Sequence, residues 1–216
     1  MTILALEFSS PQRSVALLRS DDSLASEVIE AGSGNNAPLM MIDAVLREAH
    51  LEREQIDCIV VGLGPGSYTG IRAAIALAQG WQLARGVKLI GIGSAECVLA
   101  QAQTEGFTGK VSVVIDAQRQ EFYLTTHEFA LGSRREIEPL QILTMADLRQ
   151  REKNGDVLIG PEISRWFPAG KIAFPRAATL AKLAATRSDF IAGEKLEPIY
   201  LRETQFVKAP PPRIIL

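Results

Sequence analysis

The chain predicts an α/β fold, and three stretches carry that expectation. Ile59, Val60 and Val61 are β-branched and follow the apolar Ile56, the pattern of a strand covered on both faces. The next residues, Gly62-Leu63-Gly64-Pro65-Gly66-Ser67-Tyr68-Thr69-Gly70-Ile71-Arg72, read as a sharp glycine-rich turn running into a helix. Ahead of them, short apolar runs separated by tight turns read as successive strands. A length of 216 residues leaves room for one large domain or two small lobes with a real core.

Taken in order, residues 3–8, 14–18 and 24–29 are the three opening strands, turned by Ser9-Ser10-Pro11-Gln12 and by Asp21-Asp22. Residues 31–37 form a loop rich in glycine and asparagine. Pro38 then suits the first turn of a helix reaching about His50, with Leu39, Ile42, Leu46 and Ala49 on one face. Ser67 and Thr69 are candidate N-caps for a helix from Gly70 to about Arg85, with Arg72 in its first turn. Its small residues Ala73, Ala74, Ala76, Ala78 and Gly80 let a neighbour approach closely, either the helix of residues 38–50 or another subunit. Residues 87–93 read as a strand, Ser94 as the cap of a helix to about Gln103, and residues 104–109 as a hinge. Residues 111–115 are a strand that leads through Asp116 into a hairpin. Later signals are weaker: a polar helix over 146–153, a strand over 156–160 and irregular chain over 161–178. An amphipathic helix follows over 179–192, with Leu180, Leu183, Ala184 and Ile191 inward, and then a proline-rich tail.

Composition narrows the chemistry. A net charge of −2 gives no electrostatic case for autonomous nucleic-acid binding. Cys58 and Cys97 lie in apolar surroundings without metal or redox spacing, and are read as reduced core thiols. The first residues lack a basic segment and a cleavage site, and no apolar run reaches the about 20 residues that span a membrane, so the cytoplasm is expected. No Walker lysine follows the glycines, and Ser67 stands where the dinucleotide fingerprint needs its third glycine. With only His50 and His127, no paired-histidine metal motif can be written. Two readings of the glycine turn stay open: a helix N-terminus that handles an anion, or a packing turn that binds nothing. Asp116 is likewise either an acid at a strand end or a turn residue bonded to its own backbone.

As a whole, residues 62–72 are similar to the G-x-G-P-G-S-[FY]-T-G-[VI]-R signature of the TsaB (YeaZ) family. Residues 4–10 resemble the family's L-A-[IL]-D-[TS]-[ST], with Glu7 in place of aspartate and Phe8 in place of a small hydroxyl residue. Residues 91–100 resemble its G-[VI]-[SG]-[ST]-L-x-x-[LM]-A, and residues 198–202 its P-x-Y-L-R. Residues 115–123 resemble [IL]-D-A-R-x-G-E-[VI]-Y, with Gln118 and Gln120 replacing arginine and glycine. Gly34 and Asn35 stand near where relatives carry a histidine. The resemblance implies an actin-like ATPase (ribonuclease H-like) fold of two lobes, each a mixed sheet flanked by helices. The lobes would span residues 1–105 and 106–208, with 209–216 as the tail.

The resemblance also implies a non-catalytic scaffold or activator of tRNA N6-threonylcarbamoyladenosine formation at position 37. Its partners would be a TsaD-type catalytic subunit and, in second place, a TsaE-type ATPase. The chain would form a homodimer when alone, meet tRNA only indirectly and hold no tight cofactor, with ATP or ADP bound weakly at most. Phosphate-loop candidates are Glu7, Gly62, Gly64, Gly66, Ser67, Thr69, Gly70, Arg72 and Asp116. Partner-interface candidates are Leu39, Ile42, Leu46, Ala73, Ala76 and Gly80. Two other readings stay open: an actin-like phosphotransferase using Glu7 or Asp116, and a homodimeric interaction protein without the tRNA role.

Overall fold

Two five-stranded mixed sheets carry the chain in the computed structural model, which describes residues 1–21, 23–31, 38–130 and 133–201. In the first, β1 (Ile3–Glu7), β2 (Gln12–Leu18) and β3 (Leu24–Ala31) form an antiparallel meander. β4 (Cys58–Gly62) and β5 (Lys88–Ile92) extend it in parallel from β1, giving the order β3-β2-β1-β4-β5. The second sheet repeats this plan. β6 (Gly109–Asp116), β7 (Glu121–Ala130) and β8 (Ser133–Thr144) form the meander. β9 (Val157–Gly160) adds in parallel beside β6, and β10 (Lys171–Ile172) in parallel beside β9. The sequence shows no repeat, because ladder pairing is a backbone property that different side chains can satisfy.

Period-two alternation divides the first core. Leu4, Leu6 and Phe8 face a layer that holds α1 (Pro38–Ala49) and α2 (Tyr68–Arg85). Ile3 and Ala5 face α5 (Ala177–Ala185) and Cys97 of α3 (Ser94–Thr104). α3 lies between the sheets, since its Ala95, Val98, Leu99 and Ala102 pack with β6 and β7. The far side of the second sheet is covered by α4 (Met145–Lys153) and the segment around Ile163 and Phe167. Cys58 and Cys97 are both buried; burial pushes the Cys58 thiol up to about 12, which keeps it protonated.

Several expectations change. The buried stripe of α1 is Met41, Ile42, Val45, Leu46 and Ala49, which leaves Leu39 in solvent. α2 starts before Gly70, at Tyr68, because Ser67 Oγ accepts the Gly70 amide and caps it. Ser94 is not a cap; α3 begins after Gly93 with no side-chain bond, and the Ser94 hydroxyl is used elsewhere. The twelve-residue β8 and the short β10 were not legible, and α5 stops at Ala185, so Ile191 bridges Leu89 instead of lying on a helix.

The lobes are also not sequential. From Arg176 onward the chain returns to the first sheet: Arg176 pairs with Glu27, and the Ala177 amide donates to Ser14 Oγ at 2.8 Å. Gln79 Nε2 donates to the Gly193 carbonyl at 2.8 Å, and the Ile199 amide to Leu63 O at 2.9 Å. The second lobe is thus an insertion between α3 and α5. Gly34, Asn35, Arg202 and the 209–216 tail lie outside the described residues.

Candidate functional site

The glycine turn is tied down on three sides. The Leu63 amide donates to Ile92 O at 2.8 Å, and the Ser94 amide to Gly64 O at 2.7 Å, which fixes the turn to the β5–α3 junction. The Ser67 amide donates to Ser9 O at 2.7 Å, which fixes it to the β1–β2 turn, and Ile199 holds Leu63 from the C-terminal segment. The glycines are explained by these contacts. A Cβ on Gly66 would lie 2.1 Å from Ser9 O, and one on Gly70 would lie 2.0 Å from Phe8 O. Packing alone therefore accounts for both.

Glu7 does not face the cleft as an acid at a strand end was expected to. It is fully buried beneath Gly62, whose hypothetical Cβ would lie 1.9 Å from Glu7 Oε2. Glu7 Oε1 accepts the Ser9 amide at 2.8 Å, and Oε2 accepts the Ser94 hydroxyl at 2.9 Å. Ser94 Oγ in turn accepts the Gly64 amide at 3.1 Å. Burial raises the Glu7 pKa above its ordinary value, against the opposing hydrogen bonds. The carboxyl is a structural tie between β1, the glycine turn and α3.

The cleft itself, about 1150 Å³, opens between the lobes. Gly66, Ser67, Thr69, Arg72 and Asp116 line it, whereas Glu7, Gly62, Gly64 and Gly70 do not. Asp116 Oδ1 accepts the Gln118 amide at 2.7 Å, so it makes the turn bond that was one of its two readings. Sequence reasoning passed over Tyr68 and Tyr200 as site residues, although both stand in the quoted motifs. Their rings stack at 5.8 Å, with the Arg72 guanidinium 4.4 Å above Tyr68 and its Nε 3.4 Å from the Tyr200 hydroxyl. Ile199 and Tyr200 thus clasp the glycine turn and the start of α2, and Tyr200 lines the cleft. Arg13 and Arg119 add cationic groups there. Among the described residues no three His, Cys, Asp or Glu side chains are grouped to hold a metal, and no helix is long and apolar enough to cross a membrane.

Across the cleft, Gln118, Arg119 and Gln120 all adopt positive φ, at 65°, 58° and 63°. A left-handed conformation costs a non-glycine residue about 1–2 kcal/mol. Gln120 stands where the quoted family pattern has glycine, and the turn geometry supplies the reason. Gln120→Gly is expected to raise stability by about 1 kcal/mol in urea denaturation. An unchanged or lower midpoint would mean that the turn is not held in this conformation.

Of the interface candidates, Ile42 and Leu46 are buried in the chain's own core and are not available to a partner. Ala73 is half-buried, and Leu39, Ala76 and Gly80 are exposed. Exposed beside them are Met40 on α1 and Leu83 on α2, the latter 92% accessible.

Fold and cleft together define a two-lobed α/β protein of the actin-like class. The family model described as "TsaD: tRNA N6-adenosine threonylcarbamoyltransferase" matches residues 36–202. The chain belongs to this family, as a TsaB-type member. A "tRNA threonylcarbamoyladenosine biosynthesis protein TsaB" of Haemophilus influenzae is 28% identical over 97% of this chain and 98% of the relative. The protein of the same description from Escherichia coli is 25% identical over 94% and 95%. The solved structure "YeaZ from Pseudomonas aeruginosa" shares the fold with a TM-score of 0.76 at 24% identity, covering 93% of this chain and 99% of that one.

Proposed function

We propose that this chain is a non-catalytic scaffold or activator in tRNA N6-threonylcarbamoyladenosine modification at position 37, holding a TsaD-type catalytic subunit. The observation that carries the reading is the outer face of the α1–α2 layer. On α2, Ala76, Gly80 and Leu83 are exposed at spacings of four and three, which makes one stripe of small and apolar residues. Leu39 and Met40 are exposed on α1, in the same layer. Large apolar side chains left in solvent beside small ones suit close helix-to-helix docking. The same face serves a second copy when the catalytic subunit is absent. A TsaE-type ATPase joins as a further partner, and tRNA is met through the assembly, in line with a net charge of −2. ATP or ADP binds weakly at most, because the glycine turn is occupied by its own packing. The cytoplasm is the compartment this work requires.

Affinity capture of the full chain from its native cell tests the reading. A TsaD-type subunit is expected in near-equal amount; recovery of the chain alone, or ATP turnover by the pure chain, would overturn it. Gly80→Arg sharpens the test, because a Cβ there meets nothing within 4 Å and arginine favours a helix more than glycine. The variant is expected to keep or raise thermal stability while weakening subunit pairing about tenfold or more, measured by calorimetry. Unchanged pairing would place the interface elsewhere.

A further inference from the structure

We propose that a second cavity, between the back of the glycine turn and the second sheet, is a binding site for a small oxyanion of the phosphate or carboxylate type. It holds about 290 Å³ and is lined by Gly64 and Pro65, by Ala95 and Glu96 at the start of α3, and by His127 and Arg134 on β7 and β8. That is just below the about 300–1,000 Å³ of pockets for drug-sized ligands, and ample for a small anion with a few waters.

Three observations converge there. Among the described residues, the buried side-chain nitrogens and oxygens that lack a hydrogen-bond partner are His127 Nδ1 and Arg134 Nη1, and both residues line this cavity. His127 is only 8% exposed, so its unmet nitrogen is deep in the protein, where such a group costs about 1–3 kcal/mol. Arg134 has no acceptor of its own and can only donate, so it calls for an oxygen. The third observation is the N-terminus of the eleven-residue α3, which no side chain caps, because the Ser94 hydroxyl is turned to Glu7. Its residues Ala95 and Glu96 border the same space. A guanidinium, an imidazole carrying its proton on Nδ1 and an uncapped helix start share one preference, for an oxyanion.

Acidic neighbours set the strength. Glu96 is paired with Arg187, and Glu136 Oε2 lies 3.8 Å from His127 Nε2. With His127 neutral the lining groups and Arg187 balance to no net charge, which fits a millimolar site and not a tight one. Burial, then Arg134, lowers the His127 pKa, while Glu136 and Glu96 raise it. A bound anion adds to the raising side.

The test is an NMR titration of the full chain labelled with 15N at histidine, using sodium phosphate and, separately, sodium acetate at constant ionic strength and pH. The chain has two histidines, so a His50→Gln spectrum assigns both, and exposed His50 serves as the internal control. The expected result is a saturable shift of His127 with at least one anion, no saturation at His50, and a raised His127 pKa in that anion. The anion that saturates names the ligand class. Arg134→Gln is expected to weaken binding about tenfold. Absence of a saturable His127 shift with either anion, or equal binding by Arg134→Gln, would overturn the proposal. Should that variant not fold, the titration of the unaltered chain decides alone.

Discussion

Gly66→Ala is expected to cost about 3 kcal/mol or more of stability, read as a lowered urea midpoint at unchanged slope. Two independent terms add. The new Cβ would sit 2.1 Å from the Ser9 carbonyl oxygen and 3.0 Å from its carbon, both backbone atoms that cannot rotate away. Overpacking of this kind costs about 1–3 kcal/mol. Gly66 also holds φ at +147°, a conformation that side chains avoid at a cost of about 1–3 kcal/mol. Relief by moving the loop would break the 2.7 Å bond from the Ser67 amide to Ser9 O, which docks the start of α2 on the β1–β2 turn. The internal comparison is Gly80→Ala, where the added methyl meets nothing and helix propensity gains about 1 kcal/mol. Equal midpoints for the two variants would show that the glycine turn does not press on Ser9.

That pair of glycines also shows what was legible in the sequence and what was not. The strand, turn and helix of residues 58–85 could be read directly, because a β-branched run, clustered glycines and a serine cap are local signals. The three-strand opening was legible for the same reason. Whether the glycines cradle a ligand or admit a neighbouring carbonyl depends on what lies opposite. Here that is the β1–β2 turn more than fifty residues earlier, which no local pattern reports. Tyr200 was quoted for its motif but not placed in the site, since its partners Tyr68 and Arg72 are 128 or more residues away in the chain. The return of α5 to the first sheet was hidden likewise, because Ala177, Leu180, Ala181 and Ala184 form an apolar stripe that fits either lobe. β8 escaped because it is an edge strand, with exposed and half-buried positions mixed and no clean alternation.

Replacement of Glu7 separates its structural role from its charge. Glu7→Ala leaves the Ser9 amide and the Ser94 hydroxyl without their buried acceptor and opens a void under Gly62, so a loss of about 3 kcal/mol or more is expected. Glu7→Gln keeps the volume and an oxygen for Ser9, and Ser94 can reorient to accept from the new amide. It also removes the ionisation. Burial raises the Glu7 pKa above its ordinary 4.5, so the unfolded chain loses this proton at a lower pH than the folded one. Between those two values the folded state binds more protons, and stability falls as pH rises. The contribution of the protonated carboxyl is therefore complete below 4.5 and is lost as pH climbs through the raised folded value. Glu7→Gln has no such dependence at this position. Its stability relative to the unaltered chain is expected to increase with pH across that window and then level off, in urea titrations at a series of pH values. Parallel pH profiles for the two chains would mean that Glu7 is ionised at no cost, and that the tie between β1, the glycine turn and α3 is a salted or hydrated one.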